Sequence, residues 1–419
     1  MRSYLDALRT KGAKRFVVAG LMVRFPAAMV GIGITMMISG LYGEYALAGV
    51  VTAAHTIAFA VGAPIVGRLI DRFGQASVGY PLIAVFVVAA AGLTIVARLS
   101  GPWPALVACA TVTGFTSFPV GALTRSRWSH LLLGGKAATP ARRDRLQTAF
   151  ALESVLDEVA WIFAPTFTTV CATMAWPVMG VRPEAGVVAL IALMAFAGPL
   201  FLSARGSEPP TRRHEHSGSA IRSRGVWVVA VVFVGVGLLF GANNITLVAM
   251  CESLGNKALA GPVGAAGSFA ALCGALWYGS RRWRAPLHRR FVIGLFALTG
   301  AAVLFLAARD YWSIAVVSFC FGLAIGPTFV GGNALIESLV PRENLTEGLT
   351  WIGTAVGVGM AAGAAVAGRV VDGHGAHSGY WVVCAGAIAA MGVATFSGAR
   401  LSRRHAPAPR PEPSPCGRQ

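Results

Sequence analysis

Four ionisable residues stand inside stretches otherwise too apolar to hold them: Arg24 in one, and Glu153, Asp157 and Glu158 together in another. A charge placed in hydrocarbon is costly, so it persists where it is paired or has work to do. Counted from the polar end of its stretch, Arg24 lies about nine residues in, roughly 14 Å at 1.5 Å per residue. The three acids lie about seven to twelve residues in, roughly 11 to 18 Å, if their stretch enters from the same side. The depths match, and Arg24 is expected to pair with Asp157 or Glu158. An acid so placed can take up and release a proton, because a cationic neighbour and a low dielectric both move its pKa. The same residues would serve equally as an ion pair that locks two helices and never titrates. Glu153, the shallowest, is within reach of Arg125 or Arg127, together with Asp71.

The elements that must position these groups are twelve apolar stretches, near 15–40, 45–67, 77–97, 103–124, 146–173, 185–203, 226–250, 258–279, 291–308, 312–336, 347–368 and 379–399. Each is long enough to cross a bilayer as a helix. Of the 35 lysines and arginines, Arg24 lies inside the first span, and Arg98, Arg182, Lys257, Arg309 and Arg369 lie on one face. All the others fall on the two tails and the alternate loops, which places both termini in the cytoplasm. The expected fold is an all-α integral membrane bundle of twelve helices, multi-pass in the cell membrane.

A net charge of +18 and an isoelectric point near 10.6 would suit nucleic-acid binding. Here the charge sits in clusters flanking apolar spans and not along one soluble face, which excludes that reading. A hydrophobic content of 55% with 12% charged residues excludes an ordinary soluble domain. Cys109, Cys171, Cys273, Cys320 and Cys384 lie in or at the ends of spans, where cysteine behaves as a small core residue. No disulfide, metal, cofactor or nucleotide cradle is called for, and no nucleophile stands at a recognisable spacing from a base, so an enzyme is not expected.

The first apolar stretch is too long for a signal-peptide core and stays as a span. Residues 1–14 ahead of it form a basic, weakly amphipathic segment, suited to the inner membrane surface or to a solvated tail. A Pro, Ser, His and Arg mixture at 204–225 reads as a cytoplasmic linker between two bundles of six spans, 15–203 and 226–399, and 400–419 as a disordered tail. Three matches suggest that the bundles are copies. Gly62 to Gly67 echoes Gly274 to Gly279, Gly114 and Pro119 echo Gly322 and Pro327, and Leu146-Gln147-Thr148 echoes Leu345-Thr346-Glu347.

The loop after the second span reads Gly67-Arg68-Leu69-Ile70-Asp71-Arg72-Phe73-Gly74-Gln75. In it the chain resembles the major facilitator superfamily, which marks this loop with G-x-L-x-D-R-x-G and two basic residues. Gly67, Leu69, Asp71, Arg72 and Gly74 match, while Gln75 and Ala76 replace the basic pair. The resemblance covers nearly the whole chain and implies two pseudo-symmetric six-helix bundles working by alternating access, commonly as a monomer. It makes Gly67, Asp71, Arg72 and Gly74, with Arg125 and Arg127, a cytoplasmic gate that docks on the start of the eleventh span. Arg125 to Trp128 also reads as an anchor at the inner membrane surface.

Gly368-Arg369-Val370-Val371-Asp372 with Gly375 repeats the pattern on the opposite face, as a second latch or as a turn of coincident residues. His374 and His377 beside it are assigned no metal. Ala160, Ala164 and Pro165 occupy the place of the G-x3-G-P segment that drug and proton antiporters of the family carry, with alanine for both glycines. Thr113, Thr116, Ser117, Asn243, Asn244, Thr328 and Asn333, on the spans that line the path in this family, are candidate cavity residues, and Phe240 and Trp351 could line an apolar pocket.

The function expected from all this is proton-coupled export of a small amphiphilic compound, such as an antibiotic or secondary metabolite, as in the family's drug-efflux branch. A proton-coupled uptake symporter for a nutrient is the alternative. A membrane sensor or assembly partner that moves nothing is a third reading, for which deep titratable groups would serve no purpose.

Overall fold

The computed structural model describes residues 10, 12–133, 139–176, 180–204, 224–280, 284–339 and 345–397. Most of the expected N-terminal segment 1–14, most of the 204–225 linker and the 400–419 tail lie outside these residues. Thirteen α-helices are present among the described residues: α1 (Ala13–Tyr42), α2 (Tyr45–Phe73), α3 (Gln75–Arg98), α4 (Trp103–Phe115), α5 (Val120–Leu133), α6 (Pro140–Thr173), α7 (Ala185–Leu202), α8 (Arg224–Ser253), α9 (Ala260–Ser280), α10 (Leu287–Leu304), α11 (Tyr311–Leu339), α12 (Leu345–His374) and α13 (Gly379–Phe396). With α4 and α5 together making one crossing, twelve candidate spans result. They are apolar all round, as helices facing lipid and one another must be, and each satisfies its backbone internally. A hairpin of β1 (Ala175–Trp176) and β2 (Gly180–Val181) joins α6 to α7.

The even number of crossings puts the start of α1 and the end of α13 on one face, called here the terminal face. The sequence-based boundaries differ from the observed helices mainly between the fourth and fifth spans. The segment 125–145 was expected to be loop; instead α5 continues to Leu133 and α6 begins at Pro140. Arg125 to Trp128 therefore sit on a helix, where packing decides their burial.

The core forms two clusters. One is drawn from residues between Ala13 and Ala204, the other mainly from residues between Val226 and Ala394. Ile32, Met36, Tyr45 and Ala172 of the first half join the second cluster, and all four lie towards the far face, opposite the termini.

The repeats noticed in the sequence make equivalent contacts. A Cβ on Gly114 would stand 2.1 Å from His55 O of α2, and one on Gly322 would stand 2.0 Å from Gly267 O of α9. A Cβ on Gly62 would meet Phe115 O at 2.6 Å, and one on Gly274 would meet Leu323 O at 2.4 Å. Backbone-on-backbone crossings of this kind need glycine and give lipid-embedded helices their close packing. The copies diverge at the prolines. Pro119 ends a four-residue break, Thr116 to Pro119, between α4 and α5, whereas Pro327 lies inside the continuous α11.

Candidate functional site

Arg24 of α1 projects into the gap between α5 and α6 and is 5% exposed. Its Nε donates to Asp157 Oδ1 and its Nη2 to Glu153 Oε2, with Thr124 Oγ1 3.2 Å from the same Nη2. Two carboxylates one helical turn apart on α6 thus grip one guanidinium, the fork geometry for which arginine is suited. The pairing with Asp157 was expected from depth. Glu153, grouped with Arg24 in the same charge network and expected within reach of Arg125 or Arg127, is fully buried between Arg24 and the indole of Trp128, whose Nε1 donates to Oε1 at 2.6 Å. Trp128 belongs to the core of this site and is no interfacial anchor.

Asp157 differs from Glu153 in its surroundings. It is 33% exposed, and its other oxygen lies 3.8 Å from Nη2 of the exposed Arg125. Glu158, half-buried on the next residue of α6, takes no part in the ion pairs found among the described residues. Arg24 and Asp157 form the polar wall of a cavity of about 210 Å³ whose other walls include Phe59, Phe118, Ala160 and Trp161. Phe118 and Pro119, from the break before α5, line this cavity together with Val120, Gly121 and Ala122 at the start of α5.

The gate residues are placed as follows. Gly74 ends α2 with φ 92° and gives its N–H to Ile70 O at 2.8 Å. Arg72 is exposed, its guanidinium 5.1 Å from the Phe73 ring centroid. Among the described residues, a Cβ on Gly67 would meet nothing within 4 Å, and the same holds for Gly353 on α12. The side chains of Asp71 and of residues 345–350, the other partner of the expected gate, lie outside the described residues.

Arg127, expected to belong with that gate or with the surface anchor, is instead fully buried. Its Nη1 donates to Phe201 O at 3.0 Å and Ala204 O at 3.1 Å, capping the negative end of α7, and its Nε donates to Gln75 Oε1 at 2.7 Å. Its guanidinium stacks 4.1 Å from the Phe201 ring centroid. A cation in place of Gln75 would remove this acceptor and set a second positive charge against Arg127.

Of the candidate cavity residues, four have their hydroxyls spent. Thr113 donates to Cys109 O at 2.8 Å, Thr116 to Val112 O at 2.8 Å, Ser117 to Thr113 O at 2.9 Å and Thr328 to Ala324 O at 2.8 Å. Thr113 and Thr328 bond within their helices, and Thr116 and Ser117 bond back to α4 from the break that follows it. Asn243 and Asn244 of α8 are half-buried, and the Oδ1 of each is buried without a partner among the described residues. Asn244 Nδ2 lies 3.7 Å from the Cβ position of Gly31, so it faces α1 across the two halves. Asn333 is exposed. Phe240 packs on Phe321 and Phe329, with centroids 6.4 and 6.0 Å away.

Ala160 and Ala164 are buried, and α6 runs unbroken through Pro165. The far-face part of α6 carries a contact with the second half, since a Cβ on Gly261 of α9 would stand 2.8 Å from Pro165 O and 2.1 Å from Thr169 Oγ1. The groups that sequence reasoning missed are Trp128, Thr124 and Gln75. A tryptophan four residues after Thr124, facing the acids of α6, is visible only once α5 is known to continue.

Comparison with known proteins was made on the chain and on its fold. Residues 245–417 match the model of the Major Facilitator Superfamily. No curated protein sequence matches the chain. Among solved structures, an auto-inhibited POT family peptide transporter is similar with a TM-score of 0.74 and 13% identity, over 96% of this chain and 99% of that one. The nucleoside transporter NupG gives 0.70 and 13%, over 94% and 100%. A bacterial homologue of the iron transporter ferroportin, in its inward-facing state, gives 0.70 and 11%, over 94% and 99%. The chain thus has the major facilitator fold, twelve spans in two similar halves, and carries that superfamily's sequence pattern in residues 245–417.

Proposed function

We propose that this protein is a secondary active transporter that exports a small amphiphilic compound in exchange for protons, by alternating access. The observation that carries the reading is the division of labour between two acids on one arginine: Glu153 is sealed in, while Asp157 shares Arg24 and opens onto a cavity. A carboxylate that can reach either a cation or water is the kind that exchanges a proton; a sealed one holds the arginine in place. Three aromatic walls and one ion pair favour a compound with an apolar body and one polar or charged group.

The charge distribution in the sequence places the terminal face in the cytoplasm. The contacts between the halves near the far face support a state in which the cavity is loaded from the cell. The cell membrane is the expected location, and a monomer is sufficient because both halves are in one chain.

The test is accumulation of a panel of fluorescent and labelled compounds in a pump-deficient bacterial host, comparing wild type with Asp157→Asn and Arg24→Ala, with and without a protonophore. Lower accumulation by wild type alone, abolished by the protonophore, supports the reading. Higher accumulation by wild type would establish uptake instead. A panel on which wild type and both variants behave alike would count against transport and favour a sensor or assembly partner.

A further inference from the structure

The segment that ends α12 repeats the one that ends α2: Gly368, Arg369, Asp372 and Gly375 stand as Gly67, Arg68, Asp71 and Gly74 do. The two also finish with the same geometry, for Gly375 has φ 86° and gives its N–H to Val371 O at 2.8 Å, as Gly74 does to Ile70 O. On the far face the copy is engaged across the two halves. Asp372 Oδ1 accepts the N–H of Tyr45 at 3.0 Å and Oδ2 the N–H of Ala46 at 2.5 Å.

Tyr45 and Ala46 open α2, and Glu44 before them supplies no side-chain cap. The amides at that helix end need partners, and they find them in the other half of the protein. Asp372 gains as well: in the last turn of α12 a carboxylate opposes its own helix dipole, whereas against the N-terminus of α2 it is stabilised. One turn earlier, Gly368 lets the helices meet, since a Cβ there would stand 2.4 Å from Tyr45 O.

The same tyrosine carries a second tie. Its hydroxyl donates to Glu252 at the end of α8, and Lys257 donates to Glu252 Oε1 at 3.0 Å and to Ser39 Oγ of α1 at 2.8 Å. The Lys257 ammonium lies 5.5 Å from the Tyr45 ring centroid.

We propose that this knot, with Asp372 and Gly368 at its centre, is a latch that holds the far face shut and must release once in each transport cycle. The proposal rests on the alternating-access reading above. Small-residue packing, as where a Cβ on Gly49 would stand 2.3 Å from Ala364 O, brings the halves close but has no direction. The bonds to Asp372 are charge-assisted and directional, so they are lost together when the halves part.

Hydrogen exchange of the full chain in nanodiscs, without substrate, tests this. Asp372→Ala should speed exchange at residues 45–49 by roughly tenfold or more. It should also slow exchange at residues 61–73, because the halves close on the terminal face as they open on the far one. Lys257→Met should act in the same direction and stands in should Asp372→Ala fail to fold. Unchanged exchange in a folded variant overturns the latch. Faster exchange confined to 45–49 also overturns it, leaving a helix cap only. Since no compound is moved in this experiment, its outcome is separate from the fate of the transport reading.

Discussion

The indole of Trp128 and the carboxylate of Glu153 meet at 2.6 Å, fully buried, across the interface of α5 and α6. With Arg24 on its other oxygen and no exposed surface, Glu153 is closed off from water and substrate. Trp128→Phe should leave one oxygen unpaired and cost about 1–3 kcal/mol. Glu153→Ala, which strips a partner from the buried Arg24, should cost about 3–5 kcal/mol. Thermal unfolding in detergent reads both, and a Glu153→Ala midpoint equal to that of wild type would show that Arg24 does not depend on it.

Asp157→Asn should behave differently. Arg24 keeps Glu153 and Thr124, and the amide oxygen introduced by the substitution stays within its reach, so the fold survives with a change of no more than about 1–2 kcal/mol. Proton-driven movement of substrate into or out of liposomes should fall at least roughly tenfold, while proton-independent exchange of substrate persists. If both modes fell together, Asp157 would be a binding residue and not the site of coupling.

Gln75→Arg restores the basic residue that the family's motif carries and should nevertheless destabilise. It removes the acceptor 2.7 Å from Arg127 Nε and sets a like charge against a buried cation. A loss of about 1–3 kcal/mol is expected, and Gln75→Glu should be tolerated better than Gln75→Arg. Unfolding midpoints of the two variants decide it; a stable Gln75→Arg protein would mean that Arg127 can turn away.

Gly114→Val and Gly322→Val test the internal symmetry. Each drives a side chain into a carbonyl, since the first added carbon alone would stand 2.1 Å from it in one half and 2.0 Å in the other. Both should reduce folded yield to a similar degree, by forcing apart α2 and α4 or α9 and α11. Size-exclusion chromatography of the detergent-extracted protein measures this, and a marked difference between the two would show that the copies do not pack alike.

The depth of a charge along a helix is a property of the chain, and it led correctly to Arg24 beside Asp157. Which way a residue points around the helix is not, because the spans are apolar on all sides and carry almost no stripe to fix their rotation. For that reason Thr113, Thr116 and Thr328 read as cavity residues, where the structure has them buried with their hydroxyls donating to carbonyls four residues back, and Arg127 reads as an anchor and proves to be buried. The charge run from Arg125 to Trp128 imitated the end of a span, which hid the continuation of α5.

By itself the sequence determined that there are twelve crossings, that the halves resemble each other, and that one arginine and a cluster of acids share a depth, since length, apolar content and position are all written locally. Only the tertiary structure decided that Glu153 is sealed by Trp128 while Asp157 opens to the cavity, and that Asp372 reaches the first amides of α2. Those relationships depend on helix rotation and on how the two halves meet, both shaped by close backbone contacts at glycines far apart in the chain.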